Sequence, residues 1–457
     1  MTSDFSTLSF HGGAGTVTGS KYLLATKGSR VLLDCGLFQG QKELRLRNWA
    51  VPPVEPRSLD AIVLSHGHLD HSGALPLFVK HGFKGPIHCT AATADLVAIV
   101  LADSAYLMEE DAARANRYGY SRHNPALPLY TKADVDRTMR LIKRQPWHDP
   151  IEVTPEVTVR FLRAGHILGA AILDIAVGGP RPLRLVFSGD LGRWDRPIMP
   201  DPELVQHADV LMVESTYGDR VHGSDSEERL AATVRETVER GGMLMVPAFA
   251  IGRTQELLWT LSKLKREGRI PDVPMFLDSP MAIAVSEVYE RNPADRGNEP
   301  MAISGKDFTP LATPDESKHL NTLTRPFVVV AGSGMATGGR ILHHMMEHLP
   351  DMKNTVLLPG FQAAGTRGRA LHDGVKTLRM YGTDIDVRAQ VVTLDGFSAH
   401  ADKNELMRWL RGFRAPPRQT WVVHGEPVAA EALALAIRSE LHWTADVARS
   451  GETVRLA

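Results

Sequence analysis

The chain has 457 residues, 43% of them hydrophobic and 23% charged, with a formal net charge of -1. That is the composition of a soluble globular protein of roughly two or three domains, and no global positive field announces a polyanionic partner, so any nucleic-acid binding must come from local basic patches. Two cysteines, Cys35 and Cys89, exclude a disulfide framework or a cysteine-rich zinc site; the opening MTSDFSTLSF lacks a signal-peptide pattern, and with no run near 18 consecutive apolar residues the expectation is a cytoplasmic protein without a membrane span.

Short apolar runs that end in glycine, aspartate or histidine punctuate the first 215 residues: RVLLDCG (30–36), AIVLSH (61–66), VTVRFLRAGH (157–166), LRLVFSGD (183–190) and VLMVEST (210–216). They read as buried strands with polar residues gathered at their C-terminal ends. A more helical stretch covers about 91–144. From about 219 to 373 strand, loop and helix alternate, beginning with the helix SEERLAATVRETVERGG, capped by Asp225 or Ser226 and followed by Gly241. That alternation predicts a parallel sheet flanked by helices. Strand-like runs return after 374 at LRMYG, VRAQVVTLDGFSAH and TWVVHGE, and VAAEALALAIRSELHW closes the chain as a helix. The expected organisation is an α/β protein with one domain split in sequence, 1–218 and 374–457, and a second inserted at 219–373.

The sharpest chemical signal is Ser65-His66-Gly67-His68-Leu69-Asp70-His71, directly after the strand AIVL. Residues i and i+2 of an extended segment point the same way, so His66 and His68 can share one metal ion. Asp70 and His71 then enter a turn and can reach a second ion. Further candidates sit at other strand ends: His166, Asp190 and His424. Asp190 can bridge two ions because a carboxylate has two oxygens. Imidazole and carboxylate without thiolate suit Zn²⁺, with Mn²⁺ or Fe²⁺ as alternatives. Cys35 and Cys89 follow strands and read as packing residues, and His343, His344 and His348 as surface or core positions of an amphipathic helix.

These motifs resemble those of the metallo-β-lactamase fold: Asp34 in LLDCG, HGHLDH, His166 in AGH and Asp190 in SGD. Glu214 in VESTYGD, His400 in FSAHAD and His424 in VVHGE resemble the further motifs of its β-CASP branch, as does the long insertion between Asp190 and His400. PAFAIGRTQEL, LDSPMA, AGSGMATGGR and GFQAAGTRGRAL are similar to the prokaryotic ribonucleases related to the nuclease of mRNA 3′-end processing. The resemblance implies an αββα sandwich carrying an inserted β-CASP domain. It implies one zinc on His66, His68 and His166, another on Asp70, His71 and His424, with Asp190 shared, and Asp34 orienting a ligand. It also implies a Glu214–His400 pair, with His400 protonating the leaving oxygen, and hydrolysis of RNA phosphodiesters through a metal-activated hydroxide.

Two glycine-rich strand-to-helix junctions, 331–340 and 359–371, favour anions. Ser333, Thr337, Thr366, Arg367 and Arg369 are the candidate phosphate contacts there, with Arg253 and Arg340 weaker ones. The expected activity is endonucleolytic cleavage of single-stranded RNA. The competing readings are a hydrolase of a small ester or thioester, for which the large insertion is unnecessary, and a non-catalytic RNA-processing scaffold, in which lost ligands would be expected. DNA-repair relatives usually lack the histidine matching His424, and di-iron relatives place glutamate where His68 stands. The chain ends about 30 residues after His424, which is too short for the C-terminal domain of ribonuclease J. Substrate choice is therefore expected to come from the two domains, from a partner, or from self-association as a homodimer.

Overall fold

The computed structural model describes residues 5–223, 225–297, 307–360, 362–363 and 365–456. It divides into two compact units, Met1–Val221 with His400–Ala457, and His222–Ala399.

In the first unit two seven-stranded sheets face each other. One runs in the order Thr453–Arg455, Thr7–Gly12, Lys21–Ala25, Arg30–Leu33, Ala61–Val63, Ile87–Thr90, Ile142–Gln145. The other runs Asp446–Val447, Gln419–Val423, Val210–Glu214, Leu183–Phe187, Ala171–Val177, Val157–Arg163, Ile151–Thr154. Strand alternation assigns side chains to layers. Val31 and Leu33 enter the core between the sheets with Phe161, Leu173 and Phe187, while Leu32 and Ile62 face an outer core with Phe78, Val97 and Leu101. The result is an αββα sandwich. Truncating Phe161 to alanine in such a core costs about 3–5 kcal/mol.

The helix Ala91–Tyr118 opens on Thr90, whose hydroxyl accepts from Thr93 N–H, and closes on Gly119 at φ 65°. By length and hydropathy it is apolar enough to cross a membrane, yet half of its apolar window is buried. Ala94, Val97, Leu101 and Ala105 belong to the outer core, so this is an amphipathic core helix. The segment expected to be helical to about 144 instead breaks after the helix Lys132–Met139, and Ile142–Gln145 adds an edge strand.

The second unit holds a six-stranded sheet in the order Phe308–Pro310, Met275–Asp278, Val328–Ala331, Leu244–Pro247, Thr355–Leu358, Gln390–Thr393. All of its pairings are parallel. Gln390–Thr393 pairs with Thr355–Leu358, and Leu378 and Met380 join this core, so the compact unit extends to Ala399. The strand ends are fastened through Asp278, which is fully buried. Its carboxylate accepts from Arg340 Nη1 at 2.7 Å, His344 Nε2 at 2.7 Å and Ser317 Oγ at 2.5 Å. Arg340 and His344 are thereby structural.

Burial pushes the Asp278 carboxyl up, but His344, Ser317 and Arg340 outweigh it and hold its pKa below the ordinary value. A depressed carboxylate contributes stability above its unfolded pKa of about 3.9 and loses it as pH falls through the folded value. Asp278→Ala is expected to lower the unfolding free energy by about 3–5 kcal/mol near neutral pH. Urea unfolding across pH checks this: the gap to wild type should narrow below about pH 4.

Candidate metal centre

Within the first unit the sequence-predicted residues lie at neighbouring strand ends. Arg30–Leu33 and Ala61–Val63 are parallel neighbours, so Asp34 and the loop from Ser65 to His71 leave the sheet side by side. Asp34 adopts φ 57°, and it is fully buried. Its Oδ1 accepts from Ser65 N–H at 2.7 Å, and its Oδ2 from Ser65 Oγ at 2.8 Å. The same Oδ2 lies 2.7 Å from His71 Nδ1. Gly36 permits the next crossing, because a Cβ there would sit 1.6 Å from the Asp70 carbonyl oxygen.

These bonds set tautomers. Carboxylate oxygens only accept, so His71 Nδ1 carries the proton and its Nε2 lone pair points inward. The Ser65 hydroxyl gives its proton to Asp34 and so accepts from His66 Nδ1 at 3.0 Å, which frees His66 Nε2. Thr216 Oγ1 donates to the His424 carbonyl and accepts from His424 Nδ1, both at 3.2 Å, which frees His424 Nε2. Ser65 and Thr216 had no role in the sequence reading. Their hydroxyls adjoin ligand candidates only after folding, although the Ser65–His66 adjacency was visible.

The freed atoms converge in two groups. His66 Nε2 is 3.1 Å from His68 Nδ1, and His166 Nε2 is 3.3 Å from the same atom. Asp190 Oδ2 lies 3.5 Å from His66 Nε2 and 3.7 Å from His166 Nε2. In the second group His71 Nε2 and His424 Nε2 are 3.1 Å apart, with Asp70 Oδ2 at 3.9 and 3.5 Å from them. Asp190 Oδ1 reaches His71 Nε2 at 3.4 Å. Ligands about 2.1 Å from a tetrahedral ion are about 3.4 Å apart, so the donor set fits cation-sized gaps. Buried Asp190 Oδ1 also lacks a hydrogen-bond donor. A third possible grouping, Asp190, Glu214 and His424, fits less well. Glu214 already accepts from Leu191 N–H at 2.7 Å, from Thr216 N–H at 3.2 Å and from His400.

Electrostatics agrees with this partition. Burial lowers the His66 pKa well below its ordinary value and brings His68 to about 4, which favours the neutral imidazoles a cation requires. For Asp70 burial acts upward, but His71 and His424 overcome it and bring the carboxyl to about 2. Asp190 is likewise held well below the carboxylate range, with His424 and His71 prevailing over burial. Burial opposes a proton on His71, yet Asp190, Asp34 and Asp70 together raise its pKa. A cation bound there would displace that proton.

His400 stands beside both groups. Its Nδ1 is 3.2 Å from Glu214 Oε1 and 3.9 Å from Asp190 Oδ2. Its ring is 4.4 Å from that of His166. Burial lowers its pKa, but Glu214 and Asp190 raise it further, for a net upward shift. An oriented imidazole with a favoured proton is equipped to donate it.

The glycine-loop residues lie in the second unit and are engaged locally. Ser333 Oγ accepts from the Thr337 and Gly338 amides and meets Thr337 Oγ1 at 3.0 Å. Thr366 caps its helix by accepting from Arg369 N–H. Arg367 donates to the carbonyls of Arg379, Ala336 and Thr337, and Arg369 pairs with exposed Asp373. Arg253 is buried and donates to Phe397 O.

Residues 14–215 match the metallo-beta-lactamase superfamily, 254–371 the Beta-Casp domain, and 384–448 the Zn-dependent metallo-hydrolase RNA specificity domain. A protein of Thermus thermophilus named as a ribonuclease is 37% identical over 97% of this chain and 98% of its own length. An RNase J-like protein of Methanocaldococcus jannaschii is 32% identical over 94% and 95%. The transcription termination factor FttA of Methanosarcina mazei is 30% identical over 97% of this chain and 71% of its own. A crystal structure of a protein of unknown function from Enterococcus faecalis shares the fold, with a TM-score of 0.57 at 17% identity, covering 99% of this chain and 100% of that one. With its histidine–aspartate cluster at the strand ends, this chain is a metal-dependent hydrolase and belongs to the metallo-β-lactamase-fold β-CASP ribonuclease family.

Proposed function

We propose that the protein hydrolyses single-stranded RNA endonucleolytically, using two zinc ions held by His66, His68, His166 and Asp190 on one side and Asp70, His71, His424 and Asp190 on the other. The observation that carries this reading is the joint one: two donor groups sharing one carboxylate, with the Glu214–His400 pair beside them. Metal ions bound there supply an activated water and neutralise charge on the phosphate. Asp34, through Ser65 and His71, keeps the imidazoles in the tautomer that leaves Nε2 unprotonated. Glu214 holds His400 by Nδ1, so the proton for the departing ribose oxygen comes from Nε2. In the second unit, solvent-exposed Arg369, whose pair with Asp373 is exchangeable, is the remaining candidate for phosphate contact. The relatives named as a ribonuclease and an RNase J-like protein support RNA as substrate.

Asp190→Ala removes the shared carboxylate and is expected to lose bound metal, measured by plasma emission spectrometry, together with activity. Full metal content in that variant removes the proposed ligand set. His400→Ala is expected to keep its metal and slow RNA cleavage by about 10²–10⁴-fold. With bis(p-nitrophenyl) phosphate, whose leaving group needs no proton, the same variant should lose far less; an equal loss on both substrates refutes the proton-donor role. Circular single-stranded RNA tests the mode of attack. An endonuclease linearises it, whereas degradation confined to linear RNA means exonucleolytic action.

A further inference from the structure

Residues 36–49 form a surface feature of the first unit that the metal chemistry does not use. Leu37 N–H donates to Leu69 O at 2.9 Å, one residue from Asp70. The next residue, Phe38, is gripped by Asn48, whose side chain accepts from Phe38 N–H at 2.9 Å and donates to Phe38 O at 2.8 Å. The short helical turns Lys42–Leu46 and Arg47–Trp49 are thereby pinned to the strand end that carries Asp34. Summing those links at about 4–6 Å each, Trp49 lies no more than roughly 25 Å from Asp70, a span of a few nucleotides.

The chemistry of this ledge is unlike the chain average. Lys42, Arg45 and Arg47 against Glu43 give a local charge of 3 − 1 = +2 in a chain of net charge -1. Among the described residues none of these three cations, nor exposed Arg449 next to them, is in an ion pair. The Arg47 guanidinium is held 4.1 Å above the Phe38 ring and donates to Ser450 Oγ at 3.1 Å, which fixes its direction. Trp49 is 59% exposed and meets no other aromatic ring. An exposed indole on the same short segment as cations outside ion pairs is what a flexible polyanion with flat bases recognises: stacking on the ring and phosphates on the cations. A protein partner would meet exposed Leu46, Trp49 and Val51, but that contact would leave the ledge's excess positive charge unaccounted for.

We infer that this ledge is a binding site for single-stranded nucleic acid, with Trp49 stacking one base and Lys42, Arg45 and Arg449 contacting phosphates of the strand that enters the metal centre. The inference rests on the ribonuclease reading. The test measures binding of a labelled, unstructured oligoadenylate by anisotropy, in a His400→Ala background so that the strand survives. Trp49→Ala should weaken binding roughly 5- to 150-fold, and Trp49→Phe should restore most of it. Lys42→Gln with Arg45→Gln should reduce the slope of log Kd against log salt by about 1.4. In the otherwise wild-type protein, the ratio of kcat/KM for RNA to that for bis(p-nitrophenyl) phosphate should fall in step. Equal RNA binding by wild type and all variants overturns the inference and leaves the ribonuclease reading standing. Parallel loss of diester hydrolysis also overturns it, since the changes would then act through the Asp70 loop. A wild-type protein that hydrolyses the diester but neither binds nor cuts RNA sinks the ribonuclease reading itself.

Discussion

A single buried carboxylate, Asp34, is the constraint on which the rest of the site depends. A charge taken out of water is tolerable only when its lone pairs are occupied, and here they are: by the Ser65 amide, the Ser65 hydroxyl and His71 Nδ1. Each bond also does something downstream. The amide bond fixes where the loop leaves the strand. The hydroxyl relays orientation to His66, and the imidazole bond sets the tautomer of His71. One aspartate thus determines the facing direction of one nitrogen in each donor group. The left-handed backbone at Asp34 and the glycine at 36 follow from the same need, since the chain must turn beneath the Asp70 carbonyl without a Cβ in the way.

Much of this was visible in the sequence, for a covalent reason. His66 and His68 are adjacent by i, i+2 spacing, so no tertiary information is needed to expect a shared ligand. The strand runs ending at Asp34, His166, Asp190, Glu214 and His424 were equally readable, because apolar continuity marks buried strands and polar termini mark the edge of the sandwich. What the sequence concealed depends on pairing across long separations. Ser65 matters through Asp34, and Thr216 through His424, and neither relation has a local signature. The pairing of Gln390–Thr393 with Thr355–Leu358 was hidden for the same reason: it is parallel and crosses an intervening helix and hairpin.

The glycine-rich loops teach the complementary lesson. Their composition suggested anion contacts, yet their side chains serve first to build the loops: Ser333 gathers two amides, Thr366 caps a helix and Arg367 ties one loop to the other. Hydroxyls and guanidiniums beside glycine are ambiguous in sequence because the same donors satisfy a turn or a phosphate. His344, expected at a surface or core position of its helix, is buried and partners Asp278.

Charge balance suits the donor set to cations. Asp34, Asp70, Asp190 and Glu214 bring four negative charges to one region, three of them on side chains with at most 1% exposure and Asp70 at 20%. His66 and His68 are kept neutral and so provide no compensation. Carboxylates raise the pKa of His71 and His400, and the protons favoured there offset only part of this charge; what is left is a heavy residual for a desolvated site. A divalent cation that displaces the His71 proton would offset more of it. Asp190, with one oxygen toward each group of imidazoles, is the side chain through which two ions, as proposed above, would share that balance.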